Sequence, residues 1–155
     1  MEPKVGSGCI KTEDIEELKD LINPNFALIN ASSVCGLLHL RQAAYLSENA
    51  HTGNYNLAKD KSTEVLLYLT GQRQISKAIE LGGINNTHKS VAWVSFGELP
   101  SKLSELVSLD SSVISHDNFD FSILDLDEKL ASKLSSTEKQ KMIMTRTATL
   151  PVKPR

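Results

Sequence analysis

The chain has 155 residues, of which 40% are hydrophobic and 23% are charged, and its net charge at pH 7 is -2. This length suits one domain with a substantial core, and the composition is that of an ordinary globular protein. A nearly neutral chain has no global basic field, so any contact with nucleic acid has to be local. We expect one domain over residues 9–149, between a flexible N-terminus (1–8) and a disordered tail (150–155).

The cysteine content and the hydropathy of the sequence predict the cellular compartment. The two cysteines, Cys9 and Cys35, form no disulfide framework, which favours a reducing environment. No apolar run reaches the about 20 residues that span a bilayer, and the N-terminus lacks the apolar segment of a secretory signal. The cytoplasm is therefore the predicted location.

The chain begins with a predicted strand, helix and strand. A short strand is expected around Cys9, and Thr12 is the predicted N-cap of a helix that runs to Ile22. The apolar segment 26–31 is bounded by turn residues, which indicates a buried strand.

A longer helix and a polar loop are predicted next. Ser32 or Ser33 caps the helix, which ends near Asn49. Its predicted apolar stripe comprises Val34, Leu37, Leu38, Ala44 and Tyr45. The polar composition of residues 51–60 predicts a loop.

Residues 61–84 predict two helices joined at Gly71. The unbroken apolar run 65–69 is too apolar for a surface helix, so we expect the first helix to be buried almost all round. The second helix places Ile75, Ala78 and Ile79 on one face, and a pair of glycines at 82–83 ends it.

The polar junction between these helices is the candidate site. Gly71 can end the first helix in a left-handed conformation, and it can also be the N-cap of the second helix with Gln74 in a capping box. A helix N-terminus beside Arg73 attracts anions, of which phosphate is the commonest. The alternative is an ordinary turn with solvated polar side chains.

The third quarter of the chain completes the predicted sheet. The β-branched and aromatic residues of 90–96 give the clearest strand signal, and a helix follows over 99–107. Val113 and Ile114 suggest one more short strand. The pattern as a whole predicts an α/β (mixed α+β) domain with three or four short strands and six or seven helices.

Two capping signatures predict the last helices. Ser122 with Asp125 begins one helix, and Ser135 with Glu138 begins the final one. The final helix carries three consecutive apolar residues, which cannot all share one face: Met142, Ile143 and Met144. Either a partner covers at least one of them, or two cap the core and one is tolerated at the surface.

The common signatures of catalysis and metal binding are absent from the sequence. It has no glycine-rich phosphate loop and no nucleophile elbow. The four histidines have no metal-ligand spacing, and the acidic run 117–127 lacks the pattern of a calcium loop. We therefore expect no enzyme activity, no metal or other cofactor, and no small-molecule substrate.

The sequence Gly71-Gln-Arg-Gln-Ile75, with Glu64-Val-Leu66 before it, resembles the signature of one family, the small subunit of the KEOPS complex. The resemblance extends over most of the chain, including 26–31, 38–43 and 112–114, and fades beyond Leu134. Archaeal members carry this Gly-Gln-Arg-Gln turn, which favours an archaeal type.

The resemblance implies a non-catalytic subunit with two partners. The family binds the small atypical kinase/ATPase of the complex and recruits tRNA by its 3′ CCA end, for threonylcarbamoyl modification of adenosine 37. A second hypothesis is a kinase-binding regulator without RNA contact. A third is an independent enzyme, which would need a deep pocket around His88 or His116.

Candidate contact residues follow from the junction and from this resemblance. Phosphates suit cations, whereas unpaired bases need amide edges or an aromatic stacking surface. The candidate RNA-binding set is Lys61, Gly71, Gln72, Arg73, Gln74, Lys59 and Tyr55. The candidate kinase-binding set is Met142, Ile143, Met144, Leu37, Leu38 and Arg41.

Overall fold

The computed structural model describes residues 2–115, 118–120 and 132–150. Within them, one antiparallel sheet has the strand order β2-β3-β1-β4, formed by β1 (Lys4–Ile10), β2 (Phe26–Asn30), β3 (Ser90–Ser95) and β4 (Val107–Leu109). The described α-helices are α1 (Ile15–Lys19), α2 (Leu37–Thr52), α3 (Lys61–Thr70), α4 (Ile75–Gly82), α5 (Leu103–Leu106) and α6 (Ser136–Thr149). The predicted mixed α/β class is confirmed.

The sheet separates two hydrophobic layers because successive strand residues point to opposite faces. Ala27 and Ile29 of β2 join the larger core, which includes buried residues of α2 and α3. Phe26 and Leu28 point the other way and pack with Trp93 of β3 in a smaller core with α1 and α5. The candidate site therefore lies in the helical layer on the larger core.

Helix α3 is buried along nearly its whole length, as predicted. Its carboxylate Glu64 is fully buried and accepts hydrogen bonds from the backbone N–H groups of Leu57 and Ala58. Burial, with Glu64 nearby, raises the pKa of Tyr68 to about 12. This helix is the rigid element from which the junction extends.

The starts of the first two helices differ from the sequence prediction. Asp14, not Thr12, is the N-cap of α1, which ends at Lys19 instead of Ile22. Ala31–Ser33 form a 3-10 turn that the Asn30 side chain caps, so neither serine caps α2. The N-cap of α2 is Gly36, with φ 93°.

The delayed start of α2 changes which of its faces is buried. The buried residues are His39, Leu40, Ala43, Ala44, Ser47 and Ala50. Of the predicted apolar stripe, Leu37, Leu38 and Tyr45 are exposed. The prediction for these three residues was wrong because the alanines of α2 and His39, instead of the larger side chains, face the core that α2 shares with α3.

The C-terminal half also differs from the sequence prediction, at one predicted helix and at one predicted strand. Of the predicted helix 99–107, only Leu103–Leu106 is helical, and Val107–Leu109 pairs with β1 as β4. Gly8 allows this pairing, since a Cβ there would lie 2.1 Å from the Ser108 carbonyl oxygen. Val113 and Ile114 lie in a 3-10 turn, not a strand, and the Asp110 side chain caps it.

The ends of the domain are more ordered than the sequence suggested. Residues 4–8, expected in the flexible N-terminus, belong to β1, and Leu150, expected in the tail, is fully buried. The capping box of Ser135 and Glu138 at the start of α6 is confirmed. The predicted helix at Ser122 and the tail residues 151–155 fall outside the described residues. No described helix has both the length and the apolar character that crossing a membrane requires.

Candidate functional site

Gly71 ends α3 in the left-handed conformation, as predicted, with φ 68° and ψ 26°. Its N–H donates to the Tyr68 carbonyl at 3.2 Å, and the Gln72 N–H donates to the Leu67 carbonyl at 3.0 Å. These are the two hydrogen bonds of a Schellman motif, which terminates helices at glycine. The predicted second role was wrong, because the N-cap of α4 is Gln74, which makes no side-chain capping bond. We call residues 71–74 the Gly71–Gln74 turn.

Two other helices fix the turn in place. The His39 ring of α2 donates from Nε2 to the Leu69 carbonyl at 3.0 Å. Thr147 of α6 donates from Oγ1 to the Tyr68 carbonyl at 2.7 Å. The last carbonyls of a helix have no partner within it, so the His39 contact satisfies the Leu69 carbonyl in the core. Thr147 is a second donor to the Tyr68 carbonyl, which also accepts the Gly71 N–H.

Arg73 lies against the C-terminal end of α6. Its Nη1 donates to the Leu150 carbonyl, its Nε is buried, and the side chain is half-buried, not directed wholly to solvent. The ion pairs found among residues 2–115, 118–120 and 132–150 do not include Arg73. The guanidinium therefore lies next to a neutral carbonyl at a helix C-terminus, a position that favours a cation.

The start of α4 combines polar and apolar exposed groups. Gln74 is exposed and Gln72 is half-buried, so both amides border the turn. Of the predicted apolar face only Ala78 is buried, while Ile75 and Ile79 are 42% and 50% exposed. An apolar surface beside the turn was missed because the sequence pattern predicts only that the three residues share a face.

An apolar groove of about 310 Å³ lies along α4, and Ile79 lines it with Leu66 of α3 and Ile22. Unpaired nucleotide bases bind to apolar or aromatic surfaces as well as to polar edges. The groove lies toward the start of α3 and the end of α4, so the apolar surface next to the turn is the exposed Ile75. Ile75 is chemically suited to a base, and the turn itself to a phosphate.

The structure does not bring the whole predicted RNA-binding set together. Lys61 is the first residue of α3, so it lies roughly 15 Å along the helix from Gly71. Its Nζ pairs with Glu48 at 2.9 Å and lies 5.5 Å from the centre of the Phe96 ring. The exposed Lys59 and Tyr55 precede this end of α3 in the chain. The predicted set thus divides into the turn, at the end of α3, and a second group at the start of α3 that comprises Lys59, Lys61 and Tyr55.

The outer face of α2 presents an apolar surface around a cation. Leu37, Leu38 and Tyr45 are 42%, 62% and 45% exposed, and Arg41 between them is exposed. Their spacing of three and four residues places them side by side on one helix face. The Tyr45 hydroxyl donates to Glu2 at 3.1 Å, and this contact raises the pKa of Tyr45. We call these four residues the α2 patch.

The three consecutive apolar residues of α6 point in different directions. Ile143 is fully buried and packs with Cys35 and Phe119, whereas Met142 and Met144 are half-buried at the edge of that cluster. The Met144 carbonyl accepts a hydrogen bond from Gln42 of α2 at 2.8 Å. Ile143 is therefore a core residue, and the methionines offer only part of their surface to a partner.

A polar cavity of about 340 Å³ is lined by His88, together with Lys89, Ser32 and Thr87. Burial lowers the pKa of His88, whose Nδ1 accepts the Asn85 N–H at 3.1 Å. The hydroxyls of Ser32 and Thr87 donate to asparagine oxygens, not to the histidine. The described lining residues thus contain no nucleophile paired with a base, and the described residues contain no group of three potential metal ligands. His116 falls outside them.

The buried histidine beside the turn is held in one neutral form. The Cys35 N–H donates to His39 Nδ1 at 2.9 Å, so the proton of the ring is on Nε2, which donates to Leu69. Burial lowers the pKa of His39 from 6.5 to about 4, and the bond to the Leu69 carbonyl opposes this only partly. Protonation of the ring would break the contact from Cys35.

We expect the stability of the protein to fall when the pH is lowered from 7 to 5. The unfolded chain binds a proton at His39 below pH 6.5, whereas the folded chain binds it only near pH 4. The contribution of His39 is therefore complete above this range and is lost through it, by about 2 kcal/mol of unfolding free energy at pH 5. Urea unfolding of the wild type and of His39→Gln, which does not titrate, measures the effect. An equal pH dependence in both proteins would contradict it.

The chain was also compared with models of known families. The model of the family described as "Kinase binding protein CGI-121" matches residues 11–145, which include the turn, the α2 patch and most of α6. A comparison with curated proteins found no match.

Proposed function

The chain belongs to the CGI-121 family of kinase-binding proteins, and from this membership we propose that it is a non-catalytic KEOPS subunit that binds the small kinase/ATPase and recruits tRNA. In this proposal it acts in the cytoplasm, holds the 3′ CCA end of the tRNA, and supports threonylcarbamoyl modification of adenosine 37. The archaeal type stays a prediction from the Gly-Gln-Arg-Gln sequence of the turn.

The α2 patch is the proposed kinase-binding surface. Exposed leucines are costly to leave in water, and tyrosine and arginine are enriched at the centres of protein interfaces. The patch combines these residue types on one rigid helix whose opposite face is buried. Met142 and Met144 of the neighbouring α6 can extend the contact, while Ile143 supports it from the core.

The Gly71–Gln74 turn is the proposed site for the RNA end, and one observation carries this proposal. Arg73 has no carboxylate partner in the described part of the chain, and it borders the start of α4. The N-cap of this helix, Gln74, makes no side-chain capping bond. Arg73 would contact a phosphate, and Gln72 and Gln74 would hydrogen-bond the bases. In this proposal Ile75 provides the apolar surface for a base.

Lys59, Lys61 and Tyr55 are proposed as outer contacts for a strand that leaves the turn. Lys61 already pairs with Glu48, so its net contribution to phosphate binding is expected to be smaller than that of Arg73. Tyr55, which is 50% exposed, offers a ring for stacking.

A gel-shift titration of the isolated chain tests the RNA part of the proposal. We expect intact tRNA to bind more tightly than the same tRNA lacking its CCA end. Equal affinity for the two would exclude recognition of the 3′ end. Absence of any shift, combined with a stable complex with the kinase, would favour the alternative of a kinase-binding regulator without RNA contact.

A further inference from the structure

We propose that Arg146 of α6 is a second phosphate-binding residue of the Gly71–Gln74 turn and acts together with Arg73. This inference rests on the proposed RNA-binding function and adds a residue that the sequence pattern did not indicate. Arg146 lies 75 positions after Gly71 and just beyond the segment that matches the family model. The fold, not their position in the sequence, brings Arg146 and Gly71 together.

The contact between Arg146 and the turn is close. A Cβ built on Gly71 would lie 3.3 Å from both Cβ and Nε of Arg146, and 3.8 Å from its Cζ. The guanidinium of Arg146 therefore lies against the backbone of the turn at the residue where α3 ends. Two features favour glycine at position 71: its φ of 68° is unfavourable for other residues, and a side chain there would be in tight contact with Arg146.

Arg146 and Arg73 meet at the same end of α6. Arg73 donates to the carbonyl of Leu150, which is four residues after Arg146 and so on the same face of the last helical turn. The C-terminus of a helix carries a partial negative charge, which lowers the cost of holding two cations there. The turn is thus bordered by two guanidinium groups.

This arrangement suits a phosphodiester strand. A guanidinium presents its N–H donors in a planar fork that matches phosphate oxygens, so two of them can contact one phosphate or two successive phosphates. Buried Ile143 and the bond from Thr147 to the Tyr68 carbonyl hold α6 against the end of α3, and this places Arg146 beside the turn.

The test measures binding of a single-stranded RNA ending in CCA to Arg146→Gln and to the wild type over a range of salt concentrations. Lys141→Gln is the matched control, because it removes the same charge from an exposed position of the same helix. We expect Arg146→Gln to bind about 10-fold more weakly, with a log–log salt slope reduced by about 0.7 for the lost phosphate contact. The control should change both quantities little.

The outcomes separate this inference from the proposed function. If Arg146→Gln keeps the affinity and salt slope of the wild type while Arg73→Gln loses affinity, the role of Arg146 is overturned and the RNA site stands. If neither variant differs from the wild type, both the inference and the proposed site fail. Arg146→Lys, which keeps the charge, should recover most of the salt slope. Weak binding by Arg146→Gln with an unchanged slope and a lowered melting temperature would assign Arg146 a structural role and overturn the inference.

Discussion

Leu38→Glu should weaken binding to the kinase/ATPase subunit by about 100-fold or more, roughly 2.7 kcal/mol. Leu38 is 62% exposed in the α2 patch, so the substitution changes the surface and leaves the core intact. A partner that buries this leucine would lose its apolar contact and would also have to bury an unpaired carboxylate. Isothermal titration calorimetry with the purified kinase measures the loss.

Leu99→Glu is the matched control for this prediction. Leu99 is 42% exposed and lies in the loop before α5, beside Trp93 and Leu103 of the smaller core, whereas α2 packs on the larger core. We expect Leu99→Glu to bind the kinase as the wild type does. Unchanged affinity in Leu38→Glu would exclude the α2 patch, and loss of binding in Met144→Glu alone would move the kinase-binding surface to α6.

Arg73→Glu should reduce the affinity for RNA with a CCA end by about 100-fold, because it replaces a cation that binds phosphate with a carboxylate that repels it. Lys77→Glu introduces the same charge change three residues after Gln74, at an exposed position outside the turn. Its affinity should fall much less. Fluorescence anisotropy with a labelled oligonucleotide gives both values.

A second variant keeps the RNA prediction testable if Arg73→Glu folds poorly, since Arg73 is half-buried and donates to the Leu150 carbonyl. Gln74 is exposed and its side chain makes no capping bond in the structure. Gln74→Ala should therefore leave the melting temperature unchanged and weaken RNA binding about 10-fold through a lost hydrogen bond to a base. If this variant binds RNA with the affinity of the wild type, Gln74 is not part of the RNA-binding site.

Features with local causes could be predicted from the sequence. The apolar run of α3, the left-handed Gly71, the strand rich in β-branched residues and the capping box of α6 each depend on neighbouring residues. Within the site, the grouping of Gly71, Gln72, Arg73 and Gln74 could also be predicted, because these residues are consecutive. These signals act within a few residues, so periodicity and capping rules are sufficient to find them.

Features that depend on distant contacts could not be predicted. β4 exists because Val107–Leu109 pairs with β1, about 100 positions earlier, and Gly8 allows the approach. The exposure of Leu37 and Leu38 depends on His39, whose ring reaches the end of α3. The salt bridge of Lys61 and the bond from Arg73 to Leu150 likewise join residues that no local pattern relates.

The most direct measurement is NMR mapping of the isotope-labelled chain during titration with a short single-stranded RNA that ends in CCA. The account predicts amide shifts concentrated at residues 71–76 and at 146–150, with the α2 patch unaffected. The same RNA without its last three nucleotides should produce much smaller shifts. Shifts confined to α2, or equal shifts with both RNAs, would contradict the claim that this turn holds the RNA end.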